Sequence, residues 1–580
     1  MSERLKFNAA LAAVVLGLSA FGEARTVSSL TGEGWTLDGA PVRVPHTWCV
    51  GQPEGGYLRR TGVYRRALPA PTPARRQFLR FEGVATKATV RVNGREVGRH
   101  LGPVTPFTFE ITSALKPAGN VLEVEADNRV DRDIPPMSGD FPLMGGIYRD
   151  CWLIEASADA AFDGGFFADE LEPAPPRPNV QFRADGLYID GKRTVLRGVN
   201  YHQDGPDGWV LEPGQEERDL EMIKAMGANA VRTCHYPRSS HFYDLCDRMG
   251  IYVWTELPLI WEVNPTPEFL TNTLQAAREM VLAHRHHPCI IAWGVYNELN
   301  IPGIYKKAKV AKPTPVSVEN AVAREANRLI RELDPTRPTT AASCYAKSFE
   351  LNAIPDTLGF NIYPGWYVGE AKDLRNLIDE FCRTNNRGSI ALSEYGAGAF
   401  AGQYKNPRPD GWHPDPTAKG TFQPEDYQAL VHEEELRVIN SSTNLWGVFV
   451  WQMFDSYSTL YKQGNRDGIN NKGLATRDRR IRKDAYFLYK ANWNPEPMLH
   501  LCGHRMTRTD ERAIDVVGYC NCSDRVELRV NGVTAGVRTP DAVKVVRWPK
   551  TALKPGRNTI ELSAGNLRDS AEVTFGGPSD

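Results

Sequence analysis

Ile290-Ile291-Ala292-Trp293-Gly294-Val295-Tyr296-Asn297-Glu298 is an apolar run that ends on an acid. Its composition and length predict a strand over Ile290–Tyr296, and the helical spacing of Pro267–Ala283 leads into it. Upstream, strands fit at Thr194–Asn200, Asn229–Arg232 and Ile251–Glu256, with helices at Gln215–Met226 and His241–Met249. Downstream, strands fit at Thr339–Ser343, Leu358–Asn361, Ile390–Ser393 and Trp446–Trp451, with helices at Ser317–Leu333, Asp373–Asn385 and Pro424–Ile439. Eight strands alternating with helices predict a (β/α)8 TIM barrel. A doubly wound sheet would alternate in the same way, but no glycine-rich phosphate fingerprint follows the first strand.

Reactive side chains of such barrels project from the C-terminal ends of the strands. Glu298 closes the fourth strand, and in Ala391-Leu392-Ser393-Glu394-Tyr395-Gly396 the acid Glu394 closes the seventh. An acid capping an apolar strand must be hydrated, paired or functional, because burying it alone is costly. Pairing with an arginine would explain one such residue. Two of them around one barrel mouth, both with aromatic neighbours, suit glycoside cleavage. There one carboxylic acid protonates the leaving oxygen, and the other carboxylate meets the charge developing at the anomeric carbon.

The flanks are of another kind. From about residue 30 to 155, short alternating runs such as Ala88–Val92 and Val121–Ala126, with Asn93-Gly94 as a hairpin turn, predict a β-sandwich of jelly-roll type. The Pro-rich stretch Leu171–Pro178 reads as a boundary. From about Pro497, Val526–Val530, Asn531-Gly532, Val543–Trp548 and Asn558–Leu562 predict a small Ig-like sandwich. The division is therefore 25–157, a linker at 158–184, the barrel at 185–494 and the last sandwich at 495–580. Residues 1–24, with Arg4 and Lys6 before the apolar Ala9–Phe21 and then Gly22-Glu23-Ala24, have the layout of a secretory signal peptide. That predicts export to the periplasm or the exterior, without a membrane span.

The formal net charge of −1 and the interspersed charges give no grip for nucleic acid. The 13 Trp and 21 Tyr suit sugar faces, although large β-rich proteins also use them in cores. Ten Cys show no disulfide framework and read mostly as buried small hydrophobes, with room for one or two bridges. His284-Arg285-His286-His287 lacks the spacing of a zinc helix and is not read as a metal site.

The chain resembles glycoside hydrolase family 2. The strings that carry the resemblance are Val44-Pro45-His46-Thr47-Trp48, Gly145-Gly146-Ile147-Tyr148-Arg149 and Arg197-Gly198-Val199-Asn200-Tyr201-His202-Gln203-Asp204. Asn229-Ala230-Val231-Arg232-Thr233-Cys234-His235-Tyr236-Pro237, Asn297-Glu298, Ser393-Glu394-Tyr395-Gly396 and Asn471-Lys472-Gly473-Leu474 complete them. The resemblance implies Glu298 as general acid/base, Glu394 as the nucleophile of a retaining enzyme, and Asn297 as the partner of the sugar 2-hydroxyl. It implies His202, Arg232 and His235 as residues lining the mouth, Tyr363 and Trp366 on an aromatic loop near the nucleophile, and Trp451 as a sugar platform. Asp140 would reach the non-reducing end and make the action exo. No cofactor is implied, although a structural Mg²⁺ or Na⁺ occurs in some relatives. Only some 35 to 40 residues separate Trp152 from the first barrel strand, so the family's usual middle Ig-like domain is expected to be missing. That leaves the oligomeric state open.

For the sugar, Asn470 and Lys472 resemble the carboxylate grip of β-glucuronidases. The Lys-Gly-Leu string, with Trp412-His413-Pro414 and Glu425-Asp426-Tyr427-Gln428, resembles exported members classed as β-galactosidases. Terminal β-galactoside is the first expectation and β-glucuronide the alternative. A catalytically inactive carbohydrate-binding protein and a metal-dependent barrel hydrolase are the readings from other classes.

Overall fold

Hydrophobic alternation in the N-terminal third folds into two facing antiparallel sheets. The computed structural model describes residues 25–49, 58–171, 178–300, 314–417, 420–458 and 468–576. The expected signal peptide and most of Leu171–Pro178 lie outside them. Residues 25–48, 59–129 and 143–171 belong to one compact unit. Its four-stranded sheet runs Thr26–Ser29, Cys151–Ser157, Arg75–Phe81, Phe107–Glu110. The six-stranded sheet runs Ala40–Val44, Gly32–Leu37, Thr61–Leu68, Asn120–Asp127, Lys87–Val92, Arg95–Leu101. Trp35, Tyr64, Leu79, Phe81, Val90, Val124 and Leu153 fill the space between them. The Asn93-Gly94 turn has φ of 54° and 81°, the pair of left-handed values a tight hairpin needs.

The second unit contains residues 130–142 and everything described from 178 onward. At its centre is a closed barrel of eight parallel strands. These are β1 (Leu196–Asn200), β2 (Ala230–Thr233), β3 (Tyr252–Glu256), β4 (Ile290–Asn297), β5 (Thr339–Ser343), β6 (Gly359–Asn361), β7 (Ile390–Glu394) and β8 (Leu445–Val450). Helices α1 (Gln215–Ala225), α2 (Ser240–Met249), α3 (Pro267–His284), α4 (Val316–Leu333), α5 (Leu374–Thr384), α6 (Glu425–Asn440) and α7 (Asp484–Trp493) surround it. α3 shows why the chain starts a helix where it does. Thr266 accepts a hydrogen bond from the Phe269 N–H and Pro267 occupies the first turn, so the orphan donors there are met.

Three features depart from the expectations. The run Thr194–Asn200 is split: Lys192–Thr194 belongs to a small sheet with Val180–Arg183 and Gly186–Ile189, and only Leu196–Asn200 enters the barrel. Val180, Leu187 and Ile189 of that sheet pack on Leu196, Ala230, Ile291 and Phe449, closing the barrel where its strands begin. Second, the stretch 158–184 is not bare linker. Among its described residues are a hairpin (Phe162–Asp163 with Phe166–Phe167) and a short helix, Ala168–Leu171. No Ig-like sandwich stands between 158 and 195 among the described residues. Third, α7 was not foreseen. Ala485, Tyr486, Leu488, Tyr489, Ala491 and Trp493 are all buried, so no polar stripe marks a helical period.

The C-terminal region pairs a three-stranded sheet (Leu499–Leu501, Ala513–Cys520, Val545–Ala552) with a five-stranded one that includes Val526–Val530, Gly556–Ala564 and Leu567–Phe575. Val516, Leu528, Trp548, Leu562 and Phe575 form the core between them. All ten cysteines are free thiols. Among the described residues no helix is long and apolar enough to cross a membrane.

Candidate active site

Polar side chains at the ends of four strands converge on one buried guanidinium, carried by a fifth. Arg232 of β2 is 0% exposed and donates to Glu256 of β3 (Nε to Oε1, 2.6 Å; Nη2 to Oε2, 3.0 Å) and to Glu394 of β7 (Nη1 to Oε1, 2.8 Å). It also donates to Asn200 Oδ1 at 2.9 Å and Asn297 Oδ1 at 2.8 Å. Burial opposes the charge on Arg232, but Glu256 and Glu394 outweigh it and hold the group ionised.

Glu394, the last residue of β7, is 5% exposed and accepts a second hydrogen bond, from the Tyr363 hydroxyl at 2.7 Å. Burial pushes its pKa up to about 8; Arg232 pulls against that and the Glu298 carboxylate pushes further. Burial followed by the Glu394 charge raises Tyr363 well above the usual phenol range, so Tyr363 remains a donor.

Glu298 follows β4 with φ of 52°, a left-handed value uncommon for a residue with a side chain. Its carboxylate accepts from Trp261 Nε1 (2.9 Å, to Oε2) and from Asn361 Nδ2 of β6 (2.9 Å, to Oε1). The Asn361 amide also reaches Asn297 Oδ1 at 3.2 Å. A short path of hydrogen bonds thus joins the two acids: Glu394, Arg232, Asn297, Asn361, Glu298.

The remaining expected residues fall on two sides of this centre. His235 Nδ1 lies 2.9 Å from Glu256 Oε2, and its ring stacks on Trp451 (5.3 Å, 13°), the residue after β8. His202, after β1, meets Trp451 edge-on at 5.4 Å, and its Nδ1 lies 3.2 Å from the Tyr236 hydroxyl. Burial first, then neighbouring positive charge, keeps both imidazoles well below their ordinary pKa and therefore neutral. Asp140 brings a carboxylate to these rings: one donor atom each from Asp140, His202 and His235 lie within 4.8 Å of one another. That is close enough to share one sugar hydroxyl or a small cation.

Asp140 also accepts from Asn470 Nδ2 at 3.0 Å. Burial raises its pKa to about 6, against the pull of Lys472 and Asn470. Asn470 ends a two-stranded hairpin, Ser456–Tyr457 with Ile469–Asn470, and Lys472 N donates back to Asn470 Oδ1 at 3.2 Å. The Lys472 ammonium, 1% exposed, lies 5.1 Å above the Tyr367 ring and 6.0 Å above Trp366. Trp366 is itself packed on Ala397, Tyr427 and Val431. Of the histidine string, His287 bonds Asp247 through Nδ1 at 2.7 Å, at the start of β4 and away from these residues.

Sequence reasoning missed Glu256, Asn200, Asn361 and Trp261. Glu256 could have been found by the same rule that found the two acids, since it ends the expected strand Ile251–Glu256. It is the arginine-paired case weighed for such residues. Trp261 and Asn361 have no comparable signal.

The family model for the glycosyl hydrolases family 2 TIM barrel domain matches residues 180–496, more than half of the chain. The chain belongs to glycoside hydrolase family 2. The family's galactose-binding domain-like model matches residues 58–139. A β-glucuronidase of Bacteroides fragilis is 31% identical, over 92% of this chain and 90% of its own length. A β-galactosidase of Thermoanaerobacter pseudethanolicus is 25% identical, over 85% of this chain and 74% of its own. Among solved structures, the FMN-binding β-glucuronidase from Facaelibacterium prausnitzii L2-6 superposes with a TM-score of 0.84 at 28% identity, covering 96% of this chain and 98% of that one. The chain is accordingly a family 2 β-glycosidase acting on carbohydrate, and its barrel and flanking β domains are those of the family.

Proposed function

We propose that this chain is a retaining, exo-acting β-glucuronidase, with Glu394 as nucleophile and Glu298 as acid/base. The sugar reading reverses the order of the first expectation, which put β-galactoside ahead. The observation that carries it is the buried ammonium of Lys472 beside Asn470. A buried compact cation lying over two aromatic rings suits a carboxylate better than a neutral hydroxymethyl group. The near full-length likeness to a β-glucuronidase at 31% identity supports the same sugar.

The contacts support each step of this reading. Glu394 attacks the anomeric carbon while Glu298 gives its proton to the leaving oxygen, and the sugar becomes an ester of Glu394. Arg232 and Tyr363 hold the attacking carboxylate in one orientation and share its charge. Water then enters with Glu298 taking its proton, and the second displacement restores configuration. Such a path needs the carboxyl groups about 5–5.5 Å apart. Asn297 offers its amide N–H to the 2-hydroxyl, since Arg232 and Asn361 both address its oxygen. Trp451 supports the sugar face, and Asp140 binds the terminal hydroxyls, which closes the pocket and makes the action exo. Export rests on residues 1–24 and is proposed with the rest.

The second reading, β-galactosidase, is favoured by the likeness to the Thermoanaerobacter enzyme. A pair of aryl substrates separates them. We expect kcat/KM for the β-glucuronide to exceed that for the β-galactoside by at least about 100-fold. Lys472→Ala should lower the glucuronide rate by roughly 10²-fold or more, with galactoside turnover little changed. A wild-type preference for galactoside overturns the assignment.

A further inference from the structure

Far from the acids in sequence, His500-Leu501-Cys502-Gly503-His504 sets two imidazoles beside Asp569. We propose that His500, His504 and Asp569 form a binding site for a divalent first-row transition cation of the Zn²⁺ class.

The geometry is close to what such an ion requires. One donor atom from each of the three residues lies within 4.8 Å of the other two. His504 Nε2 is 3.0 Å from Asp569 Oδ1, and His500 Nδ1 is 3.8 Å from Asp569 Oδ2. Tetrahedral zinc with bonds of about 2.0–2.2 Å places its ligand atoms roughly 3.3–3.5 Å apart. These two spacings fall on either side of that, and the third, between the imidazoles, is at most 4.8 Å.

Hydrogen bonding points the same way. His500 Nε2 lies 3.0 Å from Asp484 Oδ1, a carboxylate that only accepts, so Nε2 carries a proton and Nδ1 is the atom that would ligate. Nδ1 faces Asp569 Oδ2 at 3.8 Å, and His504 Nε2 hydrogen-bonds the same carboxylate at 3.0 Å, so an ion would take the place of that hydrogen bond. A carboxylate behind an imidazole is also the usual support of a metal-bound histidine. Asp484 is held in turn by the Gly503 N–H at 3.0 Å, and Asp569 by the Leu501 N–H at 2.7 Å. The His500 ring is clamped flat on Phe487 (3.8 Å, 12°) and runs parallel to His504 (5.5 Å, 8°).

The donor set selects the metal. Two imidazoles and one carboxylate suit zinc or its neighbours, whereas Ca²⁺ and Mg²⁺ prefer oxygen alone. The Cys502 thiol groups instead with Asp484 and His500. The His504 and Asp569 side chains are 35% and 20% exposed, which leaves a fourth position open to water. His500 is on the three-stranded sheet, Asp569 on the five-stranded sheet, and Asp484 begins α7. A bound ion would therefore fasten both layers of the C-terminal sandwich and, through Asp484, the last helix of the barrel.

The test uses the full chain after chelation. Zn²⁺ titrated by calorimetry should bind at micromolar concentration or tighter and raise Tm by several degrees. His504→Ala should weaken that binding at least 100-fold, while the metal-free Tm and glycosidase turnover stay as in wild type. Asp569→Asn, which keeps an acceptor for Leu501 N–H, serves if the alanine variant fails to fold. Co²⁺ in place of Zn²⁺ should give visible bands without a thiolate charge-transfer band. Zinc binding that is absent, or equally tight in both variants, overturns the site; a thiolate band overturns the donor set.

Discussion

Two carboxylates with the same side chain differ here through their neighbours. Glu394 faces an arginine and a phenol, and Glu298 faces an indole and an amide. Removing the proposed nucleophile should therefore be decisive: Glu394→Gln is expected to lose roughly 10⁴-fold or more in kcat with an unchanged Tm, checked with an aryl glycoside and a melting curve. Glu298→Ala should cost natural glycosides roughly 10²–10⁴-fold but spare activated aryl leaving groups, which need little protonation. Equal losses on both would refute the acid role. Burial pushes the Glu394 pKa up to about 8, so in the free enzyme the attacking carboxylate is gained as pH rises through that value. On an activated aryl glycoside, which needs little protonation, kcat/KM should therefore rise as pH approaches 8 and level off above it. A profile that is flat or falling as pH approaches 8 would refute the raised pKa.

At the scale of strands and helices, the site depends on how tightly β7 is seated. Gly396, two residues beyond Glu394, has φ of 126°, and a Cβ there would come within 2.5 Å of His432 Cε1. His432 cannot yield easily, because it is 0% exposed and bonded to the Tyr489 hydroxyl at 2.9 Å. Gly396→Ala should thus cost about 1–3 kcal/mol of strain and tilt the strand end. The expected result is a Tm lower by a few degrees and kcat down at least tenfold; an unaffected kcat would show that the strand end yields without moving Glu394. The strands themselves were legible because each is a short apolar run between helices of clear 3.6-residue period, such as α4, whose buried set Val322, Ala323, Ala326 and Ile330 marks one face. α7 was illegible for the opposite reason: Ala485, Tyr486, Leu488, Tyr489, Ala491 and Trp493 are buried around most of its circumference, and its partly exposed residues, Phe487, Lys490 and Asn492, form no polar stripe. The break at Val195 was hidden too, since nothing in an apolar run tells which neighbour each half will pair with. At the site, strand-end acids could be read from position alone. Trp261 and Asn361 could not, because loop conformation and cross-barrel reach decide their partners.

For the whole molecule, the order of the chain conceals where residues 130–142 belong. They are flanked on both sides by strands of the N-terminal sandwich, yet they cluster with the barrel. The contacts explain this. Asp133 accepts from Asn264 Nδ2 at 2.7 Å and from the Thr266 hydroxyl, and its carbonyl accepts from Asn272 Nδ2 at 2.8 Å. Phe141 packs on Tyr236 at 5.1 Å, and Asp140 takes its bond from Asn470. Asp133 therefore anchors one end of the excursion whose other end brings Asp140 to His202, His235 and Asn470, the proposed sugar pocket. Removing the anchor leaves the reacting groups intact but lets Asp140 sample other positions, a cost in orientation that substrate binding must meet. Asp133→Ala should accordingly raise KM about three- to tenfold with kcat less affected, and Tm should move little because the anchor lies at the barrel rim. The decisive measurement is a double-mutant cycle. If Asp133 acts only by presenting Asp140, its replacement should have almost no further effect on kcat/KM once Asp140 is alanine. Independent, multiplying losses would show instead that Asp133 shapes the barrel rim itself, through Asn264 and Thr266, at the start of α3.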